Sequence, residues 1–318
     1  MNKKQGTSKI RVIAIFGPTA VGKSRVAVEV SRAAGGEIVS ADSMQVYSGL
    51  SILTDQPPAE MLAEAPHHLV ASLALSEEYS AARFAHEAAI VIRDIYGRGN
   101  LPLLVGGTGL YIRALLGGFG FAGRPGASTR KKWSDLIDKQ GTETAILELE
   151  RLDPASANKI DSKNPRRLVR ALEAAEAAAE KSGKTISAER HRLWSSDSPY
   201  EVASFGLMRP REEIYRLIDE RVESMLAAGA IEEVRAARQG HVSDTATQAI
   251  GFREIGDYLD GKITLEDTAA VIKQKSRRYA KRQLTWMRKM PDIVRIDLAG
   301  SDAGVTVRAA AAIIDLIK

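Results

Sequence analysis

The sequence predicts an α/β protein: a parallel sheet flanked by helices and interrupted by an all-helical insertion. Three observations predict it. The runs RVIAIF, EIVS and LPLLVGG are strand-length and apolar without polar alternation, the pattern of parallel strands buried on both faces. Segments of helical periodicity separate them, giving the β–α–β rhythm. After about Phe121 the texture changes to long polar, Ala-rich helical patterns that reach roughly Ser195. The expected division is therefore an α/β core formed by residues 10–120 and 201–318, with a helical domain of residues 121–200 inserted into it.

Taken in order, RVIAIF forms a first strand, GPTAVGKS a Gly-rich turn, RVAVEVSRAAG a helix and EIVSADS a second strand. SAARFAHEAAIVIRDIYGRG, with apolar and small residues at helical spacing, leads into a third strand, LPLLVGG, at 101–107. Within the insertion, Asn164-Pro165 opens a helix, since Asn caps and Pro suits the first turn. LMRP at 207–210 returns to strand-like texture. REEIYRLIDERVESMLAAG, TATQAIGFREIGDYLDG and TLEDTAAVIKQKSRRYAKRQLTWMRKM then read as helices.

The chain has 318 residues, 45 lysines and arginines against 40 aspartates and glutamates, a net charge of +5, and no cysteine. The missing cysteine excludes disulfides, thiolate zinc sites, iron–sulfur clusters and a cysteine nucleophile. The N-terminus MNKKQGTSKI runs into a short strand instead of a signal-type apolar segment, and no apolar run approaches membrane-spanning length. A cytoplasmic protein without membrane partners is expected. The basic excess points to a polyanionic partner only where it is clustered.

Gly17-Pro18-Thr19-Ala20-Val21-Gly22-Lys23-Ser24 fits G-x-x-x-x-G-K-[ST], with a strand before it and an amphipathic helix after it. This makes the sheet P-loop NTPase-like. Loop amides wrap phosphate oxygens, Lys23 adds a point charge, the helix N-terminus adds its dipole, and the Ser24 hydroxyl can ligate Mg²⁺. A diphosphate ester satisfies these donors as well as a nucleotide does. The acidic residue with which nucleotide hydrolases usually end a neighbouring strand is missing, because LPLLVGG ends in Gly106-Gly107-Thr108. An ordinary ATPase is therefore disfavoured.

Asp42 ends the second strand, and strand C-termini in open α/β sheets face the ligand crevice. Two readings stand side by side: Asp42 addresses the ligand, or it caps the turn that follows. Thr108 is likewise a turn hydroxyl or a hydrogen-bonding group at the mouth of the site. Residues 271–290 carry Lys273, Lys275, Arg277, Arg278, Lys281, Arg282, Arg288 and Lys289 with no acid among them. Arg278, Lys281, Arg282 and Thr285 share one helix face, with Tyr279 and Trp286 on an adjacent one. Cations beside aromatics suit a nucleic-acid backbone and an unstacked base; the alternative is a solvated helix with Trp286 in the core. A second basic cluster, Asn164 to Arg170, lies in the insertion. The pair His67-His68 suggests a metal site, but adjacent side chains diverge and no further ligand cluster accompanies them, so a packing role is expected.

Together GPTAVGKS, ADSMQVY, APHHL, LPLLVGGTGLYI, NPRRLVRALE, QAIGFREI and KRQLTWMR, in this order, make the chain resemble the bacterial tRNA dimethylallyltransferases, the tRNA isopentenyltransferases. The resemblance spans nearly the whole chain. With no cysteine in the sequence, the C-terminal zinc finger that eukaryotic members often carry is not expected here, and Thr54-Asp55-Gln56-Pro57 stands where many relatives read TAKP. The resemblance implies transfer of a dimethylallyl group from dimethylallyl diphosphate to the exocyclic amine of the adenosine 3′ to the anticodon, using Mg²⁺; a monomer is expected. It implies that Gly17 to Ser24, with Thr19, Gly22, Lys23 and Ser24 foremost, bind the diphosphate and Mg²⁺, with Arg221 nearby. Asp42 becomes the proton acceptor, with Thr19 and Lys23 assisting the reaction. Asp42, Ser43, Met44, Gln45, Thr108, Arg130, Arg166, Arg167, Leu168, Val169 and Arg170 are implied along the tRNA path. So are Gln248, Ala249, Ile250, Gly251, Phe252 and Arg253, and Lys281, Arg282, Gln283, Leu284, Thr285, Trp286, Met287 and Arg288. Three alternatives are weighed against it. A small-molecule kinase has no need of the basic helix, an adenylate isopentenyltransferase has no need of two RNA-gripping clusters, and a non-catalytic RNA-binding protein leaves Lys23 and Asp42 idle.

Overall fold

The computed structural model describes residues 9–117, 127–162, 164–182, 198–290, 292–298, 300 and 304–318. The chain divides into two compact units, residues 1–116 with 199–318, and residues 117–198. The expected insertion boundary at 121 falls outside the described residues.

In the first unit six strands lie parallel: β1 (Ile10–Phe16), β2 (Gly36–Ala41), β3 (His67–His68), β4 (Leu101–Gly106), β5 (Tyr200–Met208) and β6 (Val294–Asp297), in spatial order β3-β2-β4-β1-β5-β6. Alternation along β1 explains why the strand reads as one apolar run. Val12, Ala14 and Phe16 enter a core on one face and Ile13 and Ile15 a core on the other. The first core takes Phe84 and Ile92 from α3 (Ala81–Gly97) and Tyr111 and Ile112 from α4 (Gly109–Leu116). The second takes Val26 and Val30 from α1 (Lys23–Ala34). Short α2 (Ala59–Glu64) precedes β3.

Among its described residues the second unit, taken by itself, is helical as expected. α5 (Ala127–Leu152) is broken at Gly141, where φ is 82°, and is followed by α6 (Pro154–Ala157) and α7 (Pro165–Ser182). Asn164 Oδ1 accepts from the Arg167 amide at 3.3 Å, the anticipated cap. Trp133, Leu149, Leu168 and Leu172 form its core.

The C-terminal stretches depart from the sequence expectation. REEIYRLIDERVESMLAAG forms α8 (Arg211–Ala227), and Gly229, at φ 109°, turns the chain into α9 (Ala230–Ala237). The expected helix over TATQAIGFREI begins only at Phe252. Ala246–Gln248 is a single 3₁₀ turn, and Gly251, at φ 105°, redirects the backbone into α10 (Phe252–Leu259). α11 (Leu265–Met287) starts where Thr264 Oγ1 accepts from the Asp267 amide at 3.1 Å. The edge strand β6 and α12 (Val305–Ile317) carried no distinct sequence signal, and α12 adds Ile313 and Val305 to the second core. Among the described residues no helix is long and apolar enough to cross a membrane.

Candidate active site

The site forms at the carboxyl ends of β1, β2 and β4. Gly17 leaves β1 where an added Cβ would lie 2.8 Å from Val21 Cγ1 and 3.2 Å from the Leu207 carbonyl oxygen, so the turn accepts no side chain. The loop then passes through two left-handed residues, Ala20 at φ 63° and Gly22 at φ 102°, before α1 begins at Lys23. The strain of a non-glycine residue in that region is tolerated where the surroundings over-determine the loop, and here they do. Thr19 N–H donates to Gln283 Oε1 at 2.8 Å, and Gln283 Nε2 donates to the Gly107 carbonyl at 3.1 Å. The buried amide of Gln283, on α11, thus clamps the phosphate loop to the end of β4.

Lys23 Nζ donates to the Pro18 carbonyl at 2.8 Å, folded back over its own loop. Burial pushes its pKa down to about 8, against the opposing pull of Asp42. Arg221 reaches in from α8 and donates to Thr19 Oγ1 at 2.6 Å, which sets its guanidinium beside the loop. Ser24, in the first turn of α1, lines the same cavity.

Asp42 caps the turn and also borders the cavity. Its Oδ1 accepts from the Met44 amide at 2.9 Å and the Gln45 amide at 3.3 Å, capping the turn after β2. Among the described residues Oδ2 has no hydrogen-bond partner, and Asp42 lines the cavity that holds Thr19, Lys23 and Ser24. Thr108 Oγ1 accepts from Ser43 N–H at 3.2 Å and lies 3.5 Å from the Tyr279 hydroxyl, whose pKa burial raises to about 12. The cavity encloses about 580 Å³ and is two-natured: polar at the loop, apolar where Met44, Leu53, Ile218, Val222 and Met225 line it.

Several residues implied along the RNA path are internal. Leu168 is fully buried in the helical unit's core, while Ala249 and Phe252 pack in the cluster around Leu53 and Ile272. Gly251 is a buried turn whose Cβ would meet Leu53 Cδ1 at 2.7 Å. Gln283 and Met287 face inward from α11, the first as the loop clamp and the second in the sheet core. Ile250, Val169 and Leu284 are half-buried against the same cores. These residues shape the backbone that presents their neighbours. Gln248, Arg253, Lys281, Arg282, Thr285 and Arg288 are exposed, as are Arg166, Arg167 and Arg170 on α7. Arg130 is tied to Glu173 at 3.0 Å, and Arg167 lies 3.8 Å from Asp161. Trp286 is half-buried, pressed on Gly109 and lying 6.0 Å from the Arg113 guanidinium.

The basic helix is not uniformly uncompensated, contrary to its local sequence. Lys273 pairs with Glu223, Lys275 with Glu254, and Arg277 with Asp219, all acids of neighbouring helices. Among the described residues Arg278, Lys281, Arg282, Arg288 and Lys289 make no ion pair. Arg282 lies 5.5 Å above the Tyr279 ring. The histidines diverge. His68 Nε2 meets Glu37 at 2.7 Å, while His67 Nδ1 donates to the Ala65 carbonyl at 2.8 Å, leaving Nε2 buried without a partner. Among the described residues no group of three His, Cys, Asp or Glu side chains has metal-binding proximity.

A phosphate loop on a parallel sheet, no acid at the end of β4 to hold a hydrolytic metal, and an open carboxylate beside an apolar wall define a P-loop protein of the group-transfer kind. The IPP transferase family model matches residues 45–290. A tRNA dimethylallyltransferase of Geobacillus kaustophilus is 40% identical over 296 residues, covering 92% of each chain. A tRNA dimethylallyltransferase 1 of Citrifermentans bemidjiense is 42% identical over 300 residues, covering 93% of this chain and 95% of that one. The crystal structure of a tRNA isopentenylpyrophosphate transferase from Bacillus halodurans superposes with a TM-score of 0.71 at 36% identity, over 97% of this chain and 96% of that one. A eukaryotic dimethylallyltransferase acting on tRNA gives 0.82 at 30% identity, over 97% and 79%. The chain belongs to the IPP transferase family.

Proposed function

We propose that this chain transfers a dimethylallyl group from dimethylallyl diphosphate to the exocyclic N6 amine of the adenosine 3′ to the anticodon in tRNA, releasing diphosphate. Family membership supports the reaction class, and the open Oδ2 of Asp42 in the phosphate-loop cavity is the observation that carries it to this site. An adenine amine is a poor nucleophile because its lone pair is delocalised into the ring. A base within hydrogen-bond reach helps by roughly 10² to 10⁴. The N6–carbon bond forms as the allylic carbon–oxygen bond breaks, its electron pair leaves with the diphosphate, and the N6 proton passes to Asp42. Capping by the Met44 and Gln45 amides holds the carboxylate in place for that transfer.

Negative charge grows on the leaving diphosphate, where Lys23, the loop amides and Arg221 act as donors worth about 3 kcal/mol each. Swinging Lys23 from the Pro18 carbonyl onto a phosphate oxygen exchanges a neutral acceptor for a charged one. The apolar wall of Leu53, Ile218 and Val222 suits a five-carbon chain and keeps water from the allylic centre. The Ser24 hydroxyl, on the cavity beside Lys23, is the hard oxygen donor that Mg²⁺ takes when substrate phosphates supply further ligands, so the residues fit that ion. When bound, it supplies further positive charge to the diphosphate.

Arg278, Lys281, Arg282, Arg288 and Lys289 offer cations to the RNA backbone, and Tyr279 beneath Arg282 offers a ring to the base turned out of the anticodon stack. The reading extends to a monomer working in the cytoplasm. It is tested by incubating the protein with Mg²⁺, dimethylallyl diphosphate and unmodified anticodon stem-loop RNA, with AMP and ATP in parallel. Mass spectrometry is expected to show the dimethylallyl increment on the RNA alone. Gain on AMP would move the assignment to a free-nucleotide prenyltransferase, and ATP consumption without prenyl transfer would move it to a kinase.

A further inference from the structure

Arg221 is shared between the phosphate loop and a carboxylate. Its Nη1 donates to Thr19 Oγ1 at 2.6 Å and lies 3.3 Å from Asp55 Oδ2. The segment carrying Asp55 is held by its own contacts. Asp55 N–H donates to the Ile52 carbonyl at 3.2 Å, and its carbonyl accepts from Gln45 Nε2 at 2.5 Å. The Glu233 carboxylate takes the Ile52 and Leu53 amides at 2.9 Å each. Asp55 therefore meets Arg221 from a fixed backbone, in a left-handed conformation at φ 54°. Both residues line the cavity with Thr19 and Lys23.

A carboxylate in a cavity built for an anion works against that anion. It subtracts from the positive field around Lys23 and occupies the guanidinium that the ligand needs. Asp55 is also 61% exposed, against 29% for Arg221, so its own packing does not account for the pair. We infer that Asp55 is an internal counter-ion that occupies Arg221 when the site is empty, yields it to an entering diphosphate, and reclaims it as inorganic diphosphate departs. It is a positioning residue that sets diphosphate affinity and release, and the inference rests on the reading that the phosphate loop holds a diphosphate.

The test is binding of inorganic diphosphate with Mg²⁺ to wild type, Asp55→Asn, Arg221→Gln and the double variant, by calorimetry and stopped-flow release. Thermal melts confirm that each is folded; the Asn change is isosteric and exposed. Asp55→Asn is expected to bind about two- to fivefold more tightly, the range for displacing one exposed ion pair, with most of the change in a slower dissociation rate. In the Arg221→Gln background the same change is expected to give a clearly smaller gain, the part that acts through the field around Lys23 alone. An unaltered Kd in Asp55→Asn, or an equal gain with and without Arg221, would overturn the inference while leaving the phosphate-loop reading standing. Folded wild type and Asp55→Asn that both ignore diphosphate would overturn that reading and the inference with it.

Discussion

The two ends of the parallel sheet treat buried charge in opposite ways. At the amino end of β2, Glu37 accepts from Arg98 Nη2 at 2.7 Å and Asn100 Nδ2 at 2.6 Å, and His68 Nε2 meets it at 2.7 Å. Burial alone would raise its pKa, but those three partners outweigh burial and hold it at about 2. At the carboxyl end Lys23 is half-buried and among the described residues has only a backbone carbonyl as its hydrogen-bond partner, and its pKa falls to about 8. One charge is satisfied by the protein and the other is left for a ligand. The difference separates groups that stabilise the fold from groups that bind and react.

The comparison breaks first at Asp42. Asp42→Ala is expected to fold and bind anticodon stem-loop RNA while losing roughly 10² to 10⁴ in single-turnover transfer. Near-normal transfer would return Asp42 to a capping role only. At the opposite end Glu37→Gln is expected to leave diphosphate binding unchanged and lower stability by on the order of 3 kcal/mol at neutral pH, read by urea unfolding. Because the folded pKa lies below the ordinary 4.5, the wild-type contribution is present above about pH 4.5 and is lost as pH falls toward 2. The variant's acid arm should be flatter over that window.

Lys23 carries the reverse sign. Its folded pKa lies below the ordinary 10.5, so its charge costs stability below about pH 8, and the cost disappears as pH rises from 8 to 10.5. An arriving diphosphate raises the pKa again. Affinity for inorganic diphosphate is therefore expected to hold up to about pH 8 and then fall, by up to about tenfold per pH unit, with proton uptake visible by calorimetry in buffers of different ionisation enthalpy. Lys23→Arg, which does not deprotonate, should abolish that slope.

The smallest effects divide α11. Arg282→Ala is expected to weaken RNA binding and reduce the salt slope by about one, with turnover at saturation little changed. Lys273→Ala, whose charge Glu223 already neutralises, should do much less. Equal losses would show that pairing within the protein does not sort these cations.

What was legible in the sequence was local. The phosphate loop, the strands around it, the Asn164 cap and the position of Asp42 follow from neighbours a few residues apart, because turn sterics, helix capping and strand burial are read over that range. Gln283 was not legible as a clamp. Its partners Thr19 and Gly107 lie 264 and 176 residues away, and the sequence resemblance set it on the RNA path with Lys281 and Arg282. The cations of α11 failed in the same way, since Asp219, Glu223 and Glu254 that pair with three of them sit on α8 and α10. Helix breaks at Gly229 and Gly251 were obscured by apolar periodicity on both sides of each glycine. His67 and His68 separated as adjacent side chains on a strand must.

The clamp also determines which replacements position 283 accepts. Its side chain must present an acceptor to Thr19 N–H and a donor to the Gly107 carbonyl at one reach, while Gly107 leaves so little room that a Cβ there would stand 2.0 Å from Gln283 Nε2. Glutamate supplies no donor and sets a charge against a carbonyl, asparagine is one methylene short, and the apolar residues of similar size satisfy neither group. Positions 283 and 107 are therefore coupled: none of these replacements at 283 keeps both contacts, and a side chain at 107 would displace the amide that makes them.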